Sequence, residues 1–256
     1  MKKVKVIKVG GAILENQSSL NSFLDRFANV EGNKILVHGG GRQATDMAKR
    51  LGVETLMIEG RRVTDDSMLE IVTMVYGGLV NKTVVAKLQQ RGINSVGLTG
   101  ADMNIVRSVK RPPKNGVDYG NVGDVTNVDG RLLEKLIEMG VVAVVAPLTH
   151  DGQGHILNTN ADTIAAEVAK SLATSMDVTL IYCFEKSGVM TDPDEPSSVI
   201  EKITPSLFNE LKSNGIITAG MIPKLENSFD ALEKGVGKIR ITSAENLEGG
   251  TLLTIE

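Results

Sequence analysis

The chain has 256 residues, 41% hydrophobic and 23% charged, with a formal net charge of −3 and aromatics at only 3%. That composition suits an ordinary globular protein with a sizeable aliphatic core, and with no Lys/Arg run longer than a pair it disfavours a nucleic-acid partner. A single Cys183 excludes an internal disulfide and favours a cytoplasmic setting, and no continuous apolar run approaches the roughly 18 residues of a membrane span.

Strand-like and helix-like segments alternate along the chain. Val4–Val9 reads as a buried strand, and Leu20, Phe23, Leu24 and Phe27 mark a helix by their spacing. Ile35–His38 is a second strand, ended by three glycines; a helix through Met47 and Leu51 and a short extended stretch at Leu56–Ile58 follow. Residues 65–91 carry a long helical pattern that Gly77-Gly78 should interrupt. Ile93–Leu98 is a strand. Residues 102–128, rich in Gly, Pro and Asn, read as hairpins or a lid outside the core. A helix over 132–138 and a strand over 141–146 come next. Asn160 caps a helix with Ile164, Ala165, Val168, Ala169 and Leu172 on its apolar face, and Val178–Phe184 is another buried strand. Beyond the loop 187–198 lie helices near 207–211 and through Leu225, Phe229 and Leu232, then short strands at 239–241 and 252–255. This alternation, with continuously apolar strands, predicts an α/β fold whose mostly parallel sheet is covered on both faces, with a lobe boundary near residue 172.

Two glycine-rich turns, Gly10-Gly11 and Gly39-Gly40-Gly41, stand at the carboxyl ends of the first two strands. Such turns either tighten a β-α connection or bring backbone N–H groups close to an anion. Lys8 interrupts an apolar strand and therefore needs an anionic partner. Lys224 follows Pro223, which suits the first turn of a helix. Asp162 favours the helix start next to Asn160, Asn158 is a polar group at a strand end, and the Arg62 fork suits a carboxylate. The three histidines, His38, His150 and His155, show no ligating spacing, so no protein-held metal is expected.

In chain order, Lys8-Val9-Gly10-Gly11, Val37-His38-Gly39-Gly40-Gly41, Arg62-Val63-Thr64, Asn158-Thr159-Asn160-Ala161-Asp162 and Gly215–Lys224 resemble motifs of the amino-acid kinases, and within that family those of the N-acetylglutamate kinases. The matches span nearly the whole chain; aspartokinases and uridylate kinases fit the opening loop less well. The resemblance implies an open αβα sandwich around a mostly parallel central sheet. Residues 1–172 would form an acylglutamate-binding and dimerisation lobe, and residues 173–256 an ATP-binding lobe. It implies a kinase that moves the γ-phosphoryl group of ATP, with Mg²⁺, to the side-chain carboxylate of an N-acyl-L-glutamate, N-acetylglutamate or an analogue such as N-succinylglutamate, in arginine biosynthesis.

Residue by residue, the same resemblance makes Lys8, Lys224 and Asp162 catalytic, and Gly40, Gly41, Arg62 and Asn158 substrate-binding. Gly10, Gly11, Glu185, Lys186, Ser187, Gly188, Val189, Met190, Ile217, Thr218 and Ala219 would contact the nucleotide. Five positions depart from the family pattern. Glu185-Lys186 replaces Asp-Val, Ala219 stands for a common Asp, Arg42 follows the glycines where Pro or Cys is usual, and Pro223 precedes Lys224. A cytoplasmic homodimer is implied, with the 65–91 helix as its interface. Arginine-sensitive relatives carry an additional helix before the first strand, so arginine insensitivity is expected. Three other readings stay open: a related kinase acting on another carboxylate or on carbamate, a non-catalytic nucleotide sensor, and an NAD-binding dehydrogenase suggested by Gly39, Gly41 and Ala44.

Overall fold

A computed structural model describes residues 1–192, 194–217 and 221–256. The chain opens with β1 (Lys3–Val9), then α1 (Gly11–Glu15) and α2 (Gln17–Asn29). The Asn16 side chain starts α2 by accepting from the Ser18 and Ser19 amides at 2.9 and 3.0 Å. Next come β2 (Asn33–His38), α3 (Gly41–Arg50) and the small hairpin of β3 (Met57–Ile58) and β4 (Arg61–Arg62). A continuous helical path follows as α4 (Asp66–Val72), a π-helical segment (Thr73–Val80) and α5 (Asn81–Gln90). Beyond it lie β5 (Ser95–Leu98), β6 (Val106–Lys110), β7 (Gly123–Val128), α6 (Gly130–Glu138) and β8 (Val142–Val145). The chain continues through β9 (Leu148–His150), β10 (Ile156–Asn158), α7 (Ala161–Ala173) and β11 (Asp177–Phe184). It ends with β12 (Lys202–Ile203), α8 (Pro205–Ser213), α9 (Ile222–Glu233), β13 (Lys238–Ser243) and β14 (Thr251–Leu253).

The central sheet has the order β12-β14-β13-β11-β1-β2-β8-β5, parallel at every pairing except β13 with β14. One face carries Val4, Val6, Val37, Leu180 and Ile239 against α6, α7, α8 and α9. The other carries Ile7, Val9, Leu36 and Ile181 against α1, α2, α3 and the α4–α5 path. Strands buried on both faces have no polar side, which is why they read as continuous apolar runs. This is the expected αβα sandwich around a mostly parallel sheet.

Two features depart from the sequence reading. Residues 102–128 are partly core: β6 and β7 join β9 and β10 in a second sheet of order β10-β9-β6-β7, and Ile105 and Val106 are fully buried. The pairing partners lie far along the chain, so local pattern did not reveal them. Gly77-Gly78 does not stop the long helix, which widens into a π turn and continues. A Cβ on Gly77 would meet Leu148 Cδ1 at 3.4 Å, an ordinary van der Waals contact, so the position faces β9 without requiring glycine. The resulting 25-residue helical stretch, Asp66–Gln90, contains a window of mean hydropathy 1.2. By length and mean composition it passes for a membrane-crossing helix, although charged residues interrupt it; here Met68, Ile71, Val72, Val75, Val84 and Leu88 pack into the core of one sheet face.

His38 ends β2 fully buried. Its Nδ1 lies 2.7 Å from the Gly39 carbonyl, which can only accept, so Nδ1 carries the proton and Nε2 accepts from Asn81 Nδ2 at 3.1 Å. Asn81 donates again to the Val144 carbonyl, 2.9 Å, and its Oδ1 accepts from Lys82. The network ties the glycine turn after β2 to α5 and β8, and it works only with a neutral imidazole. Burial lowers the His38 pKa to about 4, the Gly39 hydrogen bond opposes the shift and Lys82 adds to it.

Above about pH 6.5 the residue is neutral whether the chain is folded or not. As pH falls from there towards 4, the unfolded chain gains a proton that the folded one refuses, and stability drops by about 1.4 kcal/mol per pH unit. Urea unfolding across pH 4–7 should therefore show a steeper loss for the wild type than for His38→Asn. Parallel curves would show that His38 does not stay neutral in the folded chain.

Candidate active site

Both glycine turns, and the ends of β1, β2 and β11, meet at the carboxyl edge of the central sheet, where open α/β folds bind ligands. Lys8 projects from β1 on the face covered by α7 and α9, and only 7% of it is exposed. Its Nζ sits 2.7 Å from Asp162 Oδ1. Asp162 lies in the first turn of α7, where the Asn160 side chain accepts from the Asp162 amide at 2.8 Å and fixes the turn. Lys224 lies in the first turn of α9, and its Nζ is 3.9 Å from Asp162 Oδ2. One carboxylate thus stands between two ammonium groups that come from opposite ends of the chain.

Burial pushes Lys224 below the usual lysine range; Asp162 opposes the shift and Lys8 reinforces it. Phe184, the last residue of β11, stands beside both lysines, its ring centroid 3.9 Å from Lys224 Nζ and 5.2 Å from Lys8 Nζ. Tyr182 stacks on Phe184 at 6.2 Å and donates its hydroxyl to the Asp162 carbonyl, 3.3 Å.

Above these groups opens a cavity of about 650 Å³. Among the expected residues, Lys8, Gly10, Gly11, Gly40, Gly41, Glu185, Lys186, Gly188 and Lys224 line it. Gly40 adopts φ 152°, and a Cβ there would lie 2.9 Å from Tyr76 Cδ1, so no other residue fits this turn. No side chain caps α3, so its first N–H groups remain available beside the cavity.

Arg62 borders the site rather than lining it. Its Nη2 donates to the Gly41 carbonyl at 2.7 Å and to Thr45 Oγ1 at 2.8 Å. Asn158 Nδ2 donates to Thr64 Oγ1 at 2.9 Å, linking β10 to the turn after Arg62. Four expected nucleotide contacts sit elsewhere. Ser187 opens onto a separate cavity of about 660 Å³ with Lys202 and Arg240. Val189 and Ile217 are core residues, 3% and 5% exposed, and Met190 bridges to Val199. Thr218 and Ala219 lie outside the described residues.

Sequence reasoning missed Phe184, for which alternation with Tyr182 along a strand was the available signal. It also missed Arg42 as a cross-site link, 3.5 Å from Glu15 and 3.4 Å from Glu185.

The arrangement suits a polyanion. Burial pushes the Cys183 thiol up to about 12 although Lys8 pulls it down, so no thiolate is available. Among the described residues, no group of three or more His, Cys, Asp or Glu side chains could hold a metal.

The chain matches the profile of the Amino acid kinase family over residues 3–243. It is 59% identical over 251 residues to an acetylglutamate kinase of Bacteroides fragilis, covering 97% of this chain and 96% of that protein. It is 58% identical over 249 residues to an acetylglutamate kinase of Phocaeicola vulgatus, with 97% and 96% covered. A crystal structure from Streptococcus mutans superposes with a TM-score of 0.82 at 32% identity, covering all of both chains. Two glycine turns at a parallel sheet edge, two lysines around one aspartate, and this full-length similarity together show that the chain belongs to the amino acid kinase family.

Proposed function

We propose that this enzyme transfers the γ-phosphoryl group of ATP to the side-chain carboxylate of an N-acyl-L-glutamate, in arginine biosynthesis. Full-length similarity to acetylglutamate kinases supports the reaction. The observation that carries it in the site is the Lys8–Asp162–Lys224 cluster under the two glycine turns.

The attacking group has an unperturbed pKa of about 4.3, so it is ionised at neutral pH and needs no general base. One carboxylate oxygen bonds to the γ-phosphorus as the bond to the β,γ-bridging oxygen breaks, and the electron pair leaves with ADP. Charge is the obstacle, since two unit negative charges 4 Å apart repel by roughly 4 kcal/mol at an effective dielectric near 20. Fixed cations and N–H donors that are in place before reaction lower that barrier.

Lys8, nearer the glycine turns, neutralises the migrating phosphoryl group, and Lys224 the leaving β-phosphate. Asp162 holds Lys8, faces Lys224 at 3.9 Å and reduces the repulsion between the two lysines. Gly10, Gly11, Gly40 and Gly41 offer backbone N–H groups. Arg62, whose Nη2 donates to Gly41 and Thr45 and whose Nη1 donates to Met68 Sδ at 3.7 Å, would turn its fork to the substrate α-carboxylate, and Asn158 would meet the acylamide. Glu185, Lys186 and Gly188 border the nucleotide. ATP brings Mg²⁺ with its phosphates, and the ion supplies further charge neutralisation there.

The nucleotide then falls to residues 173–256 and the acylglutamate to residues 1–172, a division that follows the junction of β11 and β1 in the sheet. Met74 and Leu79, each 54% exposed on the long helical path, favour a homodimer across that helix. We place the enzyme in the cytoplasm, where ATP is available and its one cysteine stays reduced.

A coupled assay for ADP should show turnover with acetyl- or succinylglutamate and none with free glutamate; equal turnover on free glutamate would reject an acylglutamate kinase. Lys8→Ala should lower kcat on the order of a hundredfold with little change in KM. Arg62→Ala should raise KM for acylglutamate about tenfold or more, because a charged hydrogen bond is lost. A modest kcat effect of the first, or an unchanged KM in the second, removes that residue from its role. In sedimentation, Met74→Glu with Leu79→Glu should shift a dimer to monomer, and a wild type that sediments as monomer would refute the interface.

A further inference from the structure

Asp162 carries one negative charge and faces two ammonium groups. It makes a close contact with Lys8, 2.7 Å, and only a distant one with Lys224, 3.9 Å. Lys224 has a long, flexible side chain, about a third of it exposed, and such a chain loses much rotamer freedom when it is held in place. The carboxylate at this range does not fix it. An aromatic face stands at the same distance, too far for a hydrogen bond but well within cation–π range: the Lys224 nitrogen is 3.9 Å from the Phe184 ring centroid. We propose that Phe184 is a positioning residue of the kinase reaction, whose ring face holds the Lys224 ammonium over the cavity floor.

This rests on the reading that Lys224 serves phosphoryl transfer. An aromatic face is the right kind of support for that task. A second carboxylate would also localise the lysine, but it would take up N–H donors and cancel the charge that the phosphate needs. A ring attracts a cation through its quadrupole and accepts no conventional hydrogen bond, so the donors stay directed at the ligand. It also favours the charged form of a lysine that burial pushes towards neutrality.

The ring itself is well anchored. Tyr182 stacks on it with planes 20° apart, and the Tyr182 hydroxyl is tied to α7 through the Asp162 carbonyl. Lys8 lies over the same ring at 5.2 Å, so Phe184 meets both of the like charges that share Asp162.

Two measurements test the proposal. In full-length protein with ¹³Cε-labelled lysine, the Lys224 signal, assigned with Lys224→Arg, should be shifted upfield by the ring current without any substrate. The shift should persist in Phe184→Tyr and vanish in Phe184→Leu. Site-specific replacement of Phe184 by mono-, di- and trifluorophenylalanine, which weakens the ring quadrupole with little change of size, should lower kcat stepwise, by roughly three- to tenfold in all, with KM for acylglutamate unchanged. An unshifted Lys224 signal, or a kcat flat across the fluorinated series, would overturn it. Absence of turnover in the wild type would count against the kinase reading instead, and the substrate-free spectrum separates the two failures.

Discussion

The shared carboxylate of Asp162 is the interaction on which the site depends. An ammonium placed near the end of a strand that is buried on both sides is costly unless it meets a counter-charge. Lys8 meets it at 2.7 Å, from the first turn of the helix that covers that face of β1. That contact also fixes the relative setting of α7 and β1. The second lysine then arrives from α9 at the same carboxylate, so the cluster joins residues near both ends of the chain.

Lys34 shows the other way of burying a strand lysine. Its Nζ donates to the carbonyls of Phe27, Ala28 and Val30 at 2.9, 2.8 and 2.7 Å, filling the end of α2. All three donors are used, and burial, with a smaller push from Lys5, lowers its pKa. Lys34 is structural because its ammonium is fully occupied. Lys8 and Lys224 instead face a cavity, with a carboxylate and an aromatic ring as their partners, and keep donors for a ligand.

The turns that hold such a ligand are positioned from beneath. Gly40 passes so close to Tyr76 that no side chain fits, and the His38–Asn81 pair locks the preceding residue against α5 and β8. The long helical path that supplies Tyr76 and Asn81 is therefore a support for the second glycine turn. Its π-helical segment carries Gly77 and Gly78 and faces Leu148 of β9.

Much of this was written in local sequence. Glycines after strands, the capping side chain of Asn160, and the apolar spacing of α2 and α7 act over a few residues, and so the elements and the double-covered sheet were legible. The motif order carried the family, and with it the candidate lysines and aspartate. Only the tertiary structure decided which of these groups meet. It paired β6 with β9 into a second sheet, turned Val189 and Ile217 into the core, and carried Ser187 to a different cavity. It also brought Phe184 against Lys224. Such contacts join residues many positions apart. Pattern read along the chain carries periodicity and caps, whereas a pairing of distant charges or rings is set by how helices and strands pack around a common sheet.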